Sequence, residues 1–236
     1  MDSLLEHSFR IARFMRRHRT RANLIKTLRA SGYSVLGVGG YAVVVSLPED
    51  NTRVLRVSTS RVDGGIYYHK WVYEKGNPKG APKIERMYVL KDGRRFICCA
   101  TVMPRYVRWG GGNFSRDVGG ISMRGFHSCL KARLSGGRGV ENLRCATEVD
   151  IYCQENAIQT LNTYANLLEA CREELFPRQG YDLGGENIML DGSTAIITDP
   201  FSGVLRKSVR GVWKEYPYLT KKLFGTKIKV ICLTGV

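Results

Sequence analysis

Acidic residues are scarce in this chain and unevenly placed. The 236 residues include 21 Asp and Glu against 37 Lys and Arg, which gives a formal net charge of +16. No acid occurs between Arg10 and Arg29, a stretch with seven arginines and one lysine. Such an excess of positive charge attracts polyanions, including nucleic acid, nucleotides and acidic protein surfaces. The composition therefore favours an anionic partner.

The chain also has no long apolar run, no C-x-x-C pair and few prolines. No apolar stretch approaches the roughly 18 residues of a membrane-spanning helix, and the first residues lack the basic-then-apolar order of a secretory signal. The seven cysteines are an odd number without the spacing of a common zinc site, so we expect reduced, mostly buried thiols. With 43% hydrophobic residues, we expect a globular, cytoplasmic protein that is not inserted in a membrane.

Residues 3–30 alternate basic and apolar positions at helical spacing. The pattern predicts one long or broken amphipathic helix that ends near Ser31-Gly32. Three roles stay open for it. The helix packs on the fold with a solvated basic face, binds RNA or an acidic protein, or lies on a membrane surface.

Between residues 33 and 102 the apolar pattern becomes an alternating one, which indicates strands. Strands are predicted over 33–38, 41–47, 53–58, 87–90 and 96–102, and a helix over 65–74. This order predicts an antiparallel sheet that carries one helix.

The second half of the chain begins with a change in composition near residue 104. Glycine is dense from 110 to 139 among Arg and Lys, which predicts a connection or lid with short helices. Residues 147–174 have a strongly helical pattern, and Pro177 ends that helix. Another helix is predicted around 212–224.

The most informative stretch runs from Tyr181 to Phe201 and reads Y-D-L-G-G-E-N-I-M-L-D-G-S-T-A-I-I-T-D-P-F. Its two short apolar runs flank a D-G-S turn, which predicts a hairpin. Asn187 follows Asp182 by five residues, and Asp199 follows Asn187 by twelve. Taken singly, Asp182 caps a turn and Asp199 ends a strand. In combination, these hard oxygen ligands favour metal-assisted phosphoryl transfer.

A glycine-rich turn, G-V-G-G-Y-A-V-V, lies between the first two predicted strands, from Gly37 to Val44. Glycine allows main-chain amides to approach a phosphate closely. The same pattern also occurs in plain hairpin turns. Its position between strands disfavours a dinucleotide-binding fingerprint, and no GK[ST] loop occurs in the chain.

The order of these elements resembles the protein kinase family over residues 31–201. It is most similar to the early, host-shutoff serine/threonine protein kinases of T-seven-like bacteriophages. The stretches that carry the similarity are S-G-Y-S-V-L-G-V-G-G-Y-A (31–42), R-V-L-R-V (53–57), G-E-N-I-M (185–189) and I-T-D-P (197–200).

The resemblance implies an α+β, bilobal protein kinase-like fold. Its N-lobe would be a five-stranded antiparallel sheet with one helix, and its C-lobe would be reduced and mainly helical. The chain would then divide into a basic helical extension (1–31), an N-lobe (32–103) and a C-lobe (104–236) with the glycine-rich insert at about 110–139.

The resemblance also implies roles for individual residues. Asp182 would be the catalytic residue that orients or deprotonates the acceptor hydroxyl, and Asn187 and Asp199 would bind Mg²⁺.

A second group of residues would bind ATP. Gly37, Gly39 and Gly40 would cover its phosphates, and Arg56 stands in the third strand where kinases have a lysine. Glu74 would be the helix partner of Arg56, or else a solvated surface acid.

The implied activity is ATP- and Mg²⁺-dependent phosphorylation of serine or threonine in host proteins. The substrates would belong to the transcription and RNA-processing machinery, such as RNA polymerase, and the reaction would shut off host functions in the host cytoplasm.

Several positions depart from the kinase pattern. Besides Arg56, Gly180-Tyr181 replaces H-R, Gly184 replaces Lys, and no A-P-E follows Pro200-Phe201. Two alternatives therefore stay open. One is a catalytically weak pseudokinase that binds and inhibits a host protein or RNA through its basic surface, and the other is a phosphotransferase for a small molecule.

Overall fold

The computed structural model of the protein describes residues 3–109, 123–135, 151–176, 180–184, 186–201 and 216–234. The chain divides into two compact units. The first comprises the described residues within Met1–Tyr73, Lys83–Arg105 and Val204–Val236, and the second those within Glu74–Pro82 and Tyr106–Gly203.

The described residues form a mixed α+β fold. In chain order the elements are α1 (Ser3–Arg17), α2 (Arg21–Ala30), β1 (Ser34–Val38), β2 (Ala42–Leu47), β3 (Asp50–Ser58), α3 (Gly64–Glu74), β4 (Arg86–Asp92), β5 (Arg95–Pro104), β6 (Val107–Arg108), α4 (Met123–Leu134), α5 (Ile151–Leu175), β7 (Ile188–Asp191), β8 (Thr194–Ile197), β9 (Leu219–Leu223) and β10 (Thr226–Thr234).

The first unit is built on a seven-stranded antiparallel sheet with the strand order β1-β2-β3-β5-β4-β10-β9. Helix α1 packs on β3 and β5, and α2 packs on β1. The apolar side chains Leu5, Phe9 and Ile11 of α1 are buried in one cluster with Val43 and Leu55 of the sheet. Full burial of a side chain of this size contributes about 1.5–3 kcal/mol, so the N-terminal helices belong to the core of this unit.

The pleat of β3 decides which side chains face that core. Leu55 and Val57 lie in the cluster under α1. Because successive strand residues point to opposite faces, Arg56 faces the other side of the sheet, where it meets Asp63 at the start of α3.

The sheet has seven strands rather than the five expected from the sequence. The helix predicted around 212–224 is wrong over its described part, because this part forms β9. Phe224 and Gly225 both have positive φ angles, 45° and 82°, as a two-residue type I′ hairpin turn requires. The turn returns the chain as β10, which pairs with β4 and buries Ile228 and Val230.

The second unit packs α4 and α5 on a three-stranded antiparallel sheet with the order β6-β7-β8. Its core includes Phe126 of α4, Tyr164 of α5 and Ile197 of β8. Gly80 lies against the ring of Tyr164, and its carbonyl accepts a hydrogen bond from the Ile197 amide at 2.8 Å. This contact connects the segment after α3 to the sheet of the second unit.

Most predicted elements are confirmed. The first five strands and the helix between them occur where the alternating pattern places them, the hairpin of the motif is β7–β8, and the long second-half helix is α5. The N-terminal helix is broken, because the Thr20 side chain caps a second helix, α2. Most of the glycine-rich segment lies outside the described residues, and its described part contains α4. The predicted domain boundaries stay predictions.

No helix within the described residues is both long and apolar enough to cross a membrane.

Candidate active site

The hairpin of β7 and β8 brings Asn187 next to the residue that precedes Asp199. Ile188 pairs with Ile197 at the open end of the hairpin. One position further out, the Thr198 amide donates to the Asn187 carbonyl at 2.8 Å, and the Thr198 hydroxyl donates to the same oxygen at 3.2 Å. The spacing in the sequence therefore becomes proximity in space.

Asp182 is attached to the other side of this hairpin end by main-chain hydrogen bonds. Its amide donates to the Pro200 carbonyl at 2.7 Å, and Tyr181 forms an isolated bridge with Phe201. The Phe201 ring stacks on Phe176 at the end of α5, with 4.3 Å between the ring centroids. Residues 181–182 are thus held against 200–201 by packing as well as by hydrogen bonds.

The Asn187 side chain completes the arrangement. Its Nδ2 donates a hydrogen bond to the main-chain carbonyl of Asp182 at 3.0 Å. Because the donor end of the amide is used in this way, its Oδ1 acceptor remains for another ligand. The Asp182 side chain is exposed, and the side chains of Asn187 and Asp199 are partly buried.

The chemistry of these donors fits Mg²⁺ bound together with phosphate. Among the described residues, no group of three or more His, Cys, Asp and Glu side chains is arranged to hold a metal ion. Mg²⁺ is commonly bound by only one or two protein oxygens, with water and substrate phosphates as the other ligands. Asn187 and Asp199 could supply such oxygens, so the set suits a metal nucleotide better than a bare structural metal.

Tyr181 has a different environment from its exposed neighbour Asp182. Burial raises the pKa of the Tyr181 hydroxyl, against the opposing effect of Arg172, whose guanidinium lies 5.3 Å from the ring centroid. The hydroxyl is buried and has no hydrogen-bond partner among the described residues. At this position the side chain serves mainly as an apolar and aromatic contact for Phe201.

The glycine-rich turn lies in the first unit, between β1 and β2. The Gly39 amide donates to the Ala42 carbonyl at 2.8 Å and closes the turn. None of Gly37, Gly39 and Gly40 has a positive φ. A Cβ atom at Gly37 or Gly40 would meet no described atom within 4 Å, and one at Gly39 would make only an ordinary contact. The turn itself therefore does not require glycine, and its surface leaves room for a ligand to approach the backbone.

Arg56 is held by the carboxylate of Asp63, which the kinase pattern in the sequence does not predict. Its two terminal nitrogens donate to the two Asp63 oxygens at 2.9 and 3.1 Å, and both residues are buried, with 8% and 4% of their surfaces exposed. Burial alone would raise the pKa of Asp63. The Arg56 charge, with hydrogen bonds from Arg56, Ser58 and Gly65, outweighs burial and holds this pKa below its ordinary value.

Asp63 also caps α3, since its Oδ1 accepts a hydrogen bond from the Gly65 amide at 3.0 Å. An Asp directly before a helix is a known capping signal, and this signal could have drawn attention to it. Glu74, the candidate partner in the sequence, lies at the exposed last position of α3.

The structure thus brings Asp182, Asn187 and the segment of Asp199 together within the second unit. Comparison with protein-family models and with curated proteins finds no match for this chain. The kinase resemblance therefore depends on the quoted motifs and on the geometry described above.

Proposed function

We propose that this chain has a bilobal protein kinase-like fold and is an ATP- and Mg²⁺-dependent kinase for serine or threonine in proteins. One observation carries the proposal. The Asn187 side chain and the β7–β8 hairpin gather Asp182, Asn187 and Asp199 at one end of a small sheet.

Each of the three side chains then has a distinct task. The exposed Asp182 carboxylate accepts a hydrogen bond from the acceptor hydroxyl and orients it. The Asn187 Oδ1 and the Asp199 carboxylate hold Mg²⁺, which neutralises charge on the phosphates as the phosphoryl group moves. Gly37, Gly39 and Gly40 are proposed to contact the ATP phosphates through main-chain amides, which agrees with the open surface of their turn.

The proposed substrates are host proteins of a bacteriophage-infected cell, in the transcription and RNA-processing machinery of the cytoplasm. A net charge of +16 favours encounter with acidic complexes of this kind. Each phosphoryl group would add about two negative charges to the target and weaken its contacts with nucleic acid. This chemistry would account for the shutoff of host functions.

Incubation with γ-labelled ATP and Mg²⁺ tests the proposal. Wild type is compared with Asp182→Ala and Asp199→Ala, on the chain itself and on bacterial extract. We expect label on serine or threonine for wild type and its loss in both variants. Asp191→Ala, an exposed carboxylate in the hairpin turn of the same sheet, is the matched control and should keep the label.

Equal labelling in the wild type and both variants would show that this site is not the catalytic one. Absence of label from wild type, while it still binds ATP, would favour the second candidate below.

The buried Arg56–Asp63 pair favours one alternative, a catalytically weak pseudokinase that binds and inhibits a host protein or RNA. The pair engages both terminal nitrogens of the guanidinium, and arginine is larger and less adaptable than the lysine usual at this position. Arg56→Gln tests the role of Arg56. It should lower the affinity for ATP if Arg56 contacts phosphate, and should lower only the free energy of unfolding if the role of Arg56 is structural.

A further inference from the structure

A basic cavity opens on the surface of the first unit, between α1 and the β9–β10 turn. Its volume is about 580 Å³. The described residues that line it are four arginines and two phenylalanines, with no acid among them: Arg10, Arg13, Phe14, Arg16, Arg17 and Phe224. This volume and charge suit an anionic ligand of nucleotide size.

Phe224 occupies a position where the hairpin itself favours another residue. It is the first residue of the type I′ turn, with φ at 45°, where Asn, Asp or Gly is strongly preferred. Its ring lies nearly parallel to Phe9, with 6.0 Å between centroids, yet 51% of Phe224 remains exposed. The geometry of the turn does not account for a strained, half-exposed aromatic residue at this position. Backbone outliers of this kind are common at functional sites.

The arginines of the cavity fall into two groups. Arg16 is structural, because it donates to the carbonyls of Phe96 and Ile97, both at 2.8 Å. Arg13 and Arg17 are exposed, and within the described residues neither is paired with a carboxylate. Their charges are therefore available to an external anion.

Arg10 connects the charges to the aromatic ring, since its guanidinium lies 5.5 Å from the centroid of Phe224. Aromatic rings beside arginines are the usual composition of sites for single strands, in which bases stack and cations track the backbone. An acidic peptide would use the charges but would have no need of an exposed ring. A helix lying on a membrane is disfavoured, because Leu5 and Ile11 of α1 are buried in the core.

We infer that this cavity binds single-stranded nucleic acid. A base stacks on Phe224, and Arg10, Arg13 and Arg17 contact the adjacent phosphates. This inference does not depend on phosphoryl transfer, because binding alone is measured.

The probe is a fluorescently labelled oligo(U) of about 12 nucleotides, a length within the range of single-strand sites. Fluorescence anisotropy gives the affinity from about 50 to 200 mM salt, where a phosphate-driven contact weakens steeply. Oligo(dT) of the same length shows whether the 2′-hydroxyl contributes to binding, and an oligo-glutamate peptide tests for general anion binding.

Two variants change the ring without unfolding the hairpin. Phe224→Asn introduces a residue that the type I′ turn prefers, so the protein should remain folded while affinity for oligo(U) falls roughly tenfold or more through loss of stacking. Phe224→Trp retains an aromatic face and should keep the wild-type affinity. Thermal melts of both variants verify that they are folded.

A double variant tests the charges against a matched control. Arg13→Gln/Arg17→Gln should reduce the slope of log affinity against log salt by about 1.4. Lys222→Gln/Lys227→Gln removes the same amount of charge, but from the β9–β10 hairpin. These lysines lie directly opposite each other and alternate with the core residues Leu223 and Ile228, so they face away from the cavity. The control should change the slope much less.

The inference is overturned if oligo(U) does not bind. It is also overturned if both Phe224 variants bind as wild type does. The same holds if the two double variants reduce the slope of log affinity against log salt by the same amount. Equal binding of oligo-glutamate and oligo(U) would show an acidic-protein surface instead.

Discussion

The side-chain amide of Asn187 donates a hydrogen bond to the main-chain carbonyl of Asp182 at 3.0 Å. This contact fixes the segment that carries the exposed Asp182 carboxylate, while the carboxylate itself remains available to a substrate. The Nδ2 of Asn187 therefore positions the main chain of Asp182, in addition to the metal-binding role proposed for its Oδ1.

Substitutions at the two positions should therefore differ in their effect on stability. Asn187→Ala removes the hydrogen bond and should lower the free energy of unfolding by about 0.5–1.5 kcal/mol. Asp182→Asn changes only an exposed side chain and should leave this free energy unchanged, although it removes the carboxylate proposed to be catalytic. Urea denaturation of the three proteins measures both effects. A large loss of stability in Asp182→Asn would contradict a purely chemical role for that carboxylate.

The sequence predicts those parts of the fold in which local patterns and tertiary packing agree. The strand residues around Val43 and Leu55 alternate, and the turn between β7 and β8 has the expected D-G-S residues, so these elements are predicted correctly. The β9–β10 hairpin was missed because its first strand is rich in lysine and its turn contains Phe224, which is unusual in a type I′ turn.

In the candidate site, too, the sequence predicts what local spacing determines and does not predict what depends on tertiary packing. The spacing of Asn187 and Asp199 predicts that they lie close together, because one short hairpin connects them. Asp182 lies outside this hairpin and is held to it by hydrogen bonds to Pro200 and Asn187. The pairing of Arg56 with Asp63 depends on how α3 begins relative to β3, and this relation is set by tertiary packing. The usual kinase pattern has the acidic partner within the helix, and for this reason it predicts Glu74 instead.

Because the Arg56–Asp63 ion pair is buried, we expect the loss of one partner to lower stability strongly. Asp63→Asn would leave the buried guanidinium without its countercharge and should cost about 3–5 kcal/mol. The double variant Arg56→Met/Asp63→Leu should cost less than the single variant, since no uncompensated charge remains buried. Unfolding free energies in urea measure both costs.

The exposed pair of Lys75 and Glu174, 3.1 Å apart, is the matched control for the buried pair. Glu174→Gln should cost less than about 1 kcal/mol, because exposed ion pairs are screened by solvent. If Asp63→Asn cost no more than Glu174→Gln, Arg56 would not depend on Asp63 for its burial.

We expect the protein to lose stability at alkaline pH because the buried hydroxyl of Tyr67 loses its proton there. Its hydroxyl donates to the Arg61 carbonyl at 2.6 Å, and burial, with the nearby Cys99 and Asp63, raises its pKa to about 12. The unfolded chain releases this proton near pH 10. The contribution of Tyr67 is therefore complete below about pH 10 and is lost as the pH rises to about 12.

Urea denaturation at several pH values measures this effect. Tyr67→Phe should flatten the fall of the unfolding free energy between about pH 10 and 12. Tyr41→Phe changes an exposed ring, 42% of whose surface is accessible, and should leave the fall as in wild type. A Tyr67→Phe profile as steep as that of wild type would exclude the buried hydroxyl as a cause.

We expect the substitution Gly80→Ala to have a steric effect that can be separated from backbone strain. Gly80 and Gly76 both have positive φ angles, 88° and 75°, so alanine at either position is strained by about 1 kcal/mol. A Cβ atom at Gly80 would also collide with the ring of Tyr164, whereas one at Gly76 would meet no described atom within 4 Å. Tyr164 is not free to move away, because its hydroxyl donates to the Ala195 carbonyl at 2.5 Å.

Gly80→Ala should therefore lower the free energy of unfolding by about 1–3 kcal/mol more than Gly76→Ala does. This difference is the usual cost of overpacking. Tyr164→Phe in the Gly80→Ala background removes the hydroxyl and its hydrogen bond to Ala195. The ring can then shift, and part of the lost stability should be recovered. Equal losses in the two glycine variants, measured in urea, would mean that the ring of Tyr164 yields without cost.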